Sequence, residues 1–246
     1  MSSGTPALVL KTTDGGENWQ VKYSNTDSAY FFDALDFFGS IKSEGWIMGD
    51  AIQNKFLLIH SLDGGETWQQ TENPPPADKG EGGFAASGTC LRTLNNIIYI
   101  VTGGLSTNLL TINASNMKWN KTALPFPKRK SSQGAFSIAV GKNSTIITGG
   151  DYSNDQRRDS TACYSVDKGV TWQLSDKPLI GFQSCVEFIN GNTFLSTGTP
   201  GSNITTDGGK TWTKIDGASY NVCRKAKRGK LVLLAGNGGK IGVLKM

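Results

Sequence analysis

The chain has 246 residues, of which 37% are hydrophobic and 18% charged, with 31 glycines and a formal net charge of +5. That length suits one sizeable all-β domain, and the glycine-rich, charge-poor balance argues for short strands and tight turns rather than helices. There is no run of about 18 apolar residues to cross a membrane, and Met1-Ser2-Ser3-Gly4 lacks the basic and apolar regions of a signal peptide.

Residues 7–23 predict two strands around the phrase Thr12-Thr13-Asp14-Gly15-Gly16-Glu17-Asn18-Trp19. The phrase returns as Ser61-Leu62-Asp63-Gly64-Gly65-Glu66-Thr67-Trp68, as Ser165-Val166-Asp167-Lys168-Gly169-Val170-Thr171-Trp172 and as Thr205-Thr206-Asp207-Gly208-Gly209-Lys210-Thr211-Trp212. A worn copy spans residues 112–119. Trp19, Trp68, Trp119, Trp172 and Trp212 are 49, 51, 53 and 40 residues apart. A period of 40 to 50 residues made of short strands indicates a propeller.

Alternation and Gly, Asn, Asp and Pro punctuation predict four strands per unit. The first full unit, residues 30–71, has strands at 32–37, 45–49, 56–60 and 68–70. The second, 84–123, has them at 84–91, 97–102, 109–112 and 119–122. The third, 135–175, uses 136–140, 145–148, 162–165 and 172–174, and the fourth, 182–216, uses 185–188, 193–196, 202–205 and 212–215. Residues 220–246 offer three more strands, at 222–226, 231–235 and 241–244. The expectation is therefore a single all-β domain over 1–246, a β-propeller of four-stranded antiparallel blades with about five to five and a half blades present. The partial blade at 7–23 and the partial closing blade at 220–246 leave two arrangements. In one, Trp19 to Tyr23 pairs with the last blade and closes a five-bladed ring; in the other, the chain is a truncated piece of a larger ring.

In the repeated phrase, Asp14, Asp63, Asp167 and Asp207 accept bonds from their own turn, glycines take the backbone angles that side chains disfavour, and Trp19, Trp68, Trp172 and Trp212 pack between strands or blades. One aspartate with two glycines supplies too few oxygens for calcium. This phrase resembles the Asp-box, or BNR repeat, of the sialidase-like superfamily. Together with Gly80 to Cys90, Gly149 to Tyr152 and Gly236 to Ile241, it makes the chain similar to the photosystem II stability/assembly factor family. The resemblance implies a seven-bladed type of propeller, of which this chain corresponds to the later five and a half blades, and a non-catalytic scaffold that binds protein partners. Some relatives carry oxidoreductase or glycosyl hydrolase labels, yet no nicotinamide, flavin or haem motif is present.

Composition narrows the chemistry further. Basic residues concentrate at Lys128-Arg129-Lys130 and at Arg224, Lys225, Lys227, Arg228 and Lys230. With no nucleic-acid motif beside them they are read as solvated loops and strand edges. Cys90, Cys163, Cys185 and Cys223 have no metal-ligand spacing and are read as buried thiols, so neither metal nor cofactor is expected. A sialidase needs converging arginines and two carboxylates. Of the arginines here, only Arg92 and Arg224 lie on or beside first strands. His60, the lone histidine, is read as a packed residue.

Function, if it sits anywhere, belongs at the axial mouth, where loops between blades converge. The residues expected there are Asp33, Asp50, Glu81, Ser87, Thr89, Asp151, Tyr152, Gln183 and Ser184, with the polar run 151–159 as a candidate binding loop. The aspartate–glycine–tryptophan turns are expected on the side remote from the site. Protein partners lead, and a glycan or a sialidase-like glycoside hydrolase activity is the alternative. The compartment is left open: periplasmic or extracellular if a longer N-terminus carries a signal, and cytoplasmic otherwise.

Overall fold

The computed structural model describes residues 1, 4–39, 43–127 and 130–245, so Lys128 and Arg129 of the first basic concentration lie outside it. Strands β1 (Ala7–Lys11) and β2 (Gln20–Asn25) form an antiparallel pair. Strands β3 (Phe32–Phe37), β4 (Gly45–Ile52), β5 (Lys55–Ser61) and β6 (Gln69–Gln70) form a four-stranded sheet in chain order. The next segment contains β7 (Glu81–Gly82), β8 (Leu91–Leu94), β9 (Ile97–Val101), β10 (Gly103–Gly104), β11 (Asn108–Asn113) and β12 (Trp119–Ala123). Of these, β8, β9, β11 and β12 make the second four-stranded sheet. The third contains β13 (Gln133–Val140), β14 (Thr145–Asp151), β15 (Ala162–Ser165) and β16 (Gln173–Leu174), extended at its inner edge by β10 and β7. The fourth contains β17 (Cys185–Asn190), β18 (Thr193–Gly198), β19 (Gly201–Thr205) and β20 (Thr213–Asp216). Last come β21 (Val222–Lys225), β22 (Val232–Gly236) and β23 (Lys240–Val243), a three-stranded sheet.

Local chemistry explains the turns. The β4–β5 hairpin turns on Gln53 and Asn54 and the β8–β9 hairpin on Asn95 and Asn96, all four with positive φ. Two consecutive left-handed residues match the right-handed twist of the flanking strands, and asparagine tolerates that conformation.

One predicted strand is absent. Residues 84–90 form a glycine-punctuated loop, and the first strand of the second unit begins only at Leu91. Gly83 approaches the preceding unit so closely that a Cβ there would overlap the Asp33 carboxylate and Met48. Phe84 stacks on Phe136 with ring centroids 3.7 Å apart. Loop packing thus overrides the apolar pattern that suggested a strand.

The first strands β3, β8, β13, β17 and β21 stand side by side in chain order around the axis. Polar bonds join them. Thr93 donates through its amide and hydroxyl to Asp36 Oδ2 at 2.8 and 3.1 Å. The Ile138 amide donates to Thr89 O at 3.1 Å, and the Val186 amide to Ser137 Oγ at 2.9 Å. Between the sheets lies the apolar core. The joint between the first two units buries Trp46, Met48, Leu58, Leu91, Ile98 and Ile100. Each such side chain contributes about 1.5–3 kcal/mol when fully buried.

The β1–β2 pair docks on the first sheet rather than on the last. Ala7 and Val9 pack with Phe32, Ile47, Leu57, Ile59 and Trp68, and Lys11 and Lys22 pair with Glu66, each at 2.6 Å. Among the described residues β2 pairs only with β1 and β23 only with β22, so Trp19 to Tyr23 does not complete the last sheet. Ile241 and Val243 on the free edge strand are exposed.

Candidate functional site

The repeated turns are built alike. In the second copy, Asp63 Oδ1 accepts from the Glu66 and Thr67 amides, both at 3.0 Å, and Oδ2 accepts from Thr67 Oγ1 at 2.6 Å. Ser61 Oγ donates to Asp63 at 2.8 Å and accepts from the Gly65 amide at 2.7 Å. The same pattern holds at Asp14, Asp167 and Asp207. Bonds from neighbouring threonine or asparagine hold the first three carboxyls well below the ordinary aspartate value, Asp167 at about 2. Every oxygen faces its own turn, which leaves the aspartates structural. Trp68 and Trp212 are buried as expected, whereas Trp19 and Trp119 are exposed.

At one end of the axis the structure gathers the predicted mouth residues, mostly inside the protein. Asp33 is 2% exposed, and its Oδ2 has no hydrogen-bond partner among the described residues. Burial, with the nearby Asp50 charge, raises its pKa to about 8. Burial also raises Asp50, opposed by a bond from the Gly83 amide. The two carboxylates flank Gly82 and Gly83, at the joint of the first and second units.

Glu81 and Asp151 turn inward. Glu81 accepts from Asn108 Nδ2 at 2.8 Å, from the Asp78 amide at 2.8 Å and from Lys121 Nζ at 2.7 Å. Asp151 accepts from Ser132 Oγ at 2.7 Å, Gln133 Nε2 at 3.0 Å and the Ser153 amide at 3.0 Å, so it also caps the short 3-10 turn Tyr152–Asn154. Burial opposes ionisation of Asp151, and these bonds outweigh it, so the carboxyl sits below the usual value. Both are satisfied fasteners.

Hydroxyls bridge the units. Ser87 Oγ lies 2.6 Å from Thr89 Oγ1 and donates to Ser184 O at 2.7 Å, and Ser184 Oγ donates to Asn221 O at 2.7 Å. Gln183 Oε1 accepts from Ser196 Oγ at 3.0 Å and from Asn203 Nδ2 at 3.2 Å. Tyr152 is the exposed member of the group, edge-on to the Phe84–Phe136 stack. Within the candidate loop, Asp155 accepts from Thr199 Oγ1 at 2.7 Å, and its carbonyl accepts from the Phe182 amide at 2.8 Å.

The large cavity lies at the opposite end of the first strands. It measures about 570 Å³ and is lined by residues from all five, including Asp36, Arg92, Glu187, Arg224, Lys225 and Lys227. Arg92 pairs with Glu187 at 2.9 Å and donates through Nε to Ile138 O at 3.2 Å, while Arg224 stands 3.7 Å from Glu187. Burial raises the Glu187 carboxyl, Arg92 pulls it back, and it rests at about 7. Four cationic groups face two carboxylates, so the cavity is positive on balance.

This end also carries the repeated turns. Phe37 lines the cavity and meets Trp68 edge to face, with centroids 5.9 Å apart. The turns are therefore not remote from the cavity, contrary to the sequence reading. Of its residues, Arg92 and Arg224 stood out in sequence as arginines on or beside first strands, and Lys225 and Lys227 only as part of a basic concentration read as solvated. A legible signal was the charged residue interrupting an apolar first strand, as in Phe32-Asp33-Ala34-Leu35-Asp36-Phe37 and Cys185-Val186-Glu187-Phe188.

The profile of the photosynthesis system II assembly factor YCF48 family matches residues 2–75, and that of the BNR/Asp-box repeat matches residues 204–214. Residues 2–75 are thus similar to the photosystem II assembly factors, and the repeated turns are Asp-boxes. No curated protein matches its sequence. Solved structures share the propeller's fold. YCF48 bound to D1 peptide superposes with a TM-score of 0.59 at 16% identity, over 97% of this chain and 72% of that one. YCF48 from Cyanidioschyzon merolae gives 0.57 at 18%, over 97% and 76%. The GH93 α-L-arabinofuranosidase of Fusarium graminearum, complexed with arabinobiose, gives 0.59 at 14%, over 98% and 84%.

Proposed function

We propose that this propeller is a non-catalytic scaffold that holds a segment of a partner protein in the cavity ringed by Arg92, Arg224, Lys225 and Lys227. The observation that carries the reading is the meeting of five first strands on one positively balanced cavity. An extended acidic peptide fits that charge, and fixed guanidinium groups suit carboxylate recognition. The relationship to assembly factors, one of which is solved with a peptide, supports the same class of partner. Titration of labelled peptides by fluorescence anisotropy tests it. Acidic peptides are expected to bind and their lysine-substituted counterparts not to bind. The Arg224→Ala/Lys227→Ala double variant is expected to weaken binding at least tenfold with its melting temperature unchanged. Equal binding of acidic and basic peptides refutes the reading.

A second reading rests on the buried Asp33–Asp50 pair and the shared fold with an arabinofuranosidase. A carboxylic acid kept neutral beside an ionisable one suits general acid chemistry on a glycosidic bond. In this reading Ser87, Thr89, Tyr152, Gln183 and Ser184 belong to the glycan site, with Glu81 and Asp151 bracing it. Release of nitrophenol from aryl arabinofuranosides by the wild type, abolished in Asp33→Asn, is the required result; no turnover above buffer rejects it.

A further inference from the structure

All four cysteines are buried free thiols, and two of them meet. Cys185 opens β17 and Cys223 lies on β21, the neighbouring first strand, with the two sulfurs 3.7 Å apart. The Cys185 thiol also lies 3.3 Å from the Cys223 carbonyl, Thr89 Oγ1 donates to Cys185 Sγ at 3.7 Å, and Cys223 Sγ is 3.8 Å from Leu195 O. These contacts hold both side chains across the joint between the last two sheets. Cys90 faces Met48 Sδ at 3.9 Å, and Cys163 packs in the core between other sheets.

The surroundings separate Cys185 from the other three thiols, since the bond to Cys185 and burial push Cys223 up. Burial opposes ionisation of Cys185, but the bond from the Cys223 thiol and the charge of Arg92 outweigh it and hold Cys185 below the ordinary thiol value. Burial pushes Cys90 and Cys163 up. Strand alternation places Cys185 on the same face of β17 as Glu187, which lines the cavity two residues along. Cys185 itself is fully buried behind that wall, and it is the sulfur with the greater thiolate character.

We propose that Cys185 and Cys223 form a reversible disulfide, made when a peroxide enters the cavity, that ties the first strands of the last two sheets together. The Cys185 thiolate attacks one peroxide oxygen and the O–O bond breaks, giving a sulfenic acid and a hydroxide that is protonated to water. The Cys223 sulfur then displaces the remaining oxygen as a second water and the S–S bond forms. Two thiols lose two electrons and two protons, and one hydrogen peroxide becomes two waters. The sulfurs have to move from 3.7 Å to about 2.05 Å, a change that side-chain rotation on adjacent strands can supply. The cross-link holds Glu187 against Arg224, the residue next to Cys223, and so fixes one wall of the cavity. This inference does not depend on what the cavity binds.

Thiol counting on the folded chain tests it. After hydrogen peroxide, removal of the oxidant, denaturation and alkylation, the protein is expected to carry two alkyl groups instead of four. A digest should yield one linked peptide pair containing Cys185 and Cys223, and dithiothreitol should restore four groups. In Cys223→Ser, dimedone is expected to label Cys185 and no cross-link to form; in Cys90→Ser the cross-link persists. Four alkyl groups in the treated wild type, a linkage through Cys90 or Cys163, or irreversible oxidation of Cys185 without linkage each overturns the proposal. If Cys223→Ser fails to fold, the wild-type peptide map decides alone.

Discussion

Asp33→Asn removes a titrating carboxyl whose Oδ2 has no hydrogen-bond partner among the described residues. The native carboxyl is pushed to about 8 from 3.8, chiefly by burial. Between those values the folded protein keeps a proton that the unfolded chain has released. The stability associated with Asp33 is therefore fully present below pH 3.8 and is lost as pH rises towards about 8. At about 1.4 kcal/mol per pH unit, the loss between pH 5 and pH 8 comes to about 4 kcal/mol, or three orders of magnitude in the folding equilibrium. Asparagine has nearly the same shape and does not titrate. Urea unfolding of wild type and variant, followed by tryptophan fluorescence at pH 5 and pH 8, measures the difference directly. Other titrating groups are common to both proteins and cancel. Asp33→Asn is expected to gain about 4 kcal/mol relative to wild type over that interval. A relative change below about 1 kcal/mol would show that Asp33 ionises freely and would refute the reasoning.

The repeated turn yields two further tests. Lys168 holds the left-handed position, φ 61°, that glycine occupies at Gly15, Gly64 and Gly208. Lys168→Gly is expected to stabilise by about 0.5–1 kcal/mol in thermal unfolding, despite the larger unfolded-state entropy of glycine. Asp207 accepts bonds from Thr205, Thr211 Oγ1 and the Thr211 amide beside the buried Trp212. Asp207→Ala is expected to cost about 2 kcal/mol in urea unfolding at neutral pH. Burial works to raise the Asp207 carboxyl, its hydrogen bonds outweigh that and hold it below 3.8, so this contribution is present above pH 3.8 and is lost as pH falls through the lower folded value. Wild type and variant should converge in strong acid, and a constant gap down to pH 2 would contradict the assignment.

Much of the architecture was legible because the turn chemistry is local. An aspartate two residues after a serine or threonine, followed by glycine and then tryptophan, folds on itself, so its recurrence located the ends of third strands without knowledge of the rest. Most first and second strands followed from alternation. Residues 84–90 misled for a physical reason: Phe84, Ala85 and Ala86 look apolar enough for a strand, yet the segment packs as a loop against Asp33 and Phe136. Most of the predicted polar residues are buried or half-buried. Their burial was not readable, since Glu81 and Asp151 find their partners 18 to 40 positions away along the chain or across a neighbouring turn.

By itself, then, the sequence determined the repeat, the antiparallel strands and the self-contained turns, because each depends on contacts within a few residues. Only the tertiary structure decided which end of the axis opens into a cavity, that Arg92 and Arg224 meet at Glu187, that Asp33 Oδ2 has no hydrogen-bond partner among the described residues, and that Cys185 faces Cys223. Those pairings join residues on different sheets, and their spacing follows from how the sheets pack around the axis, a property no single unit encodes.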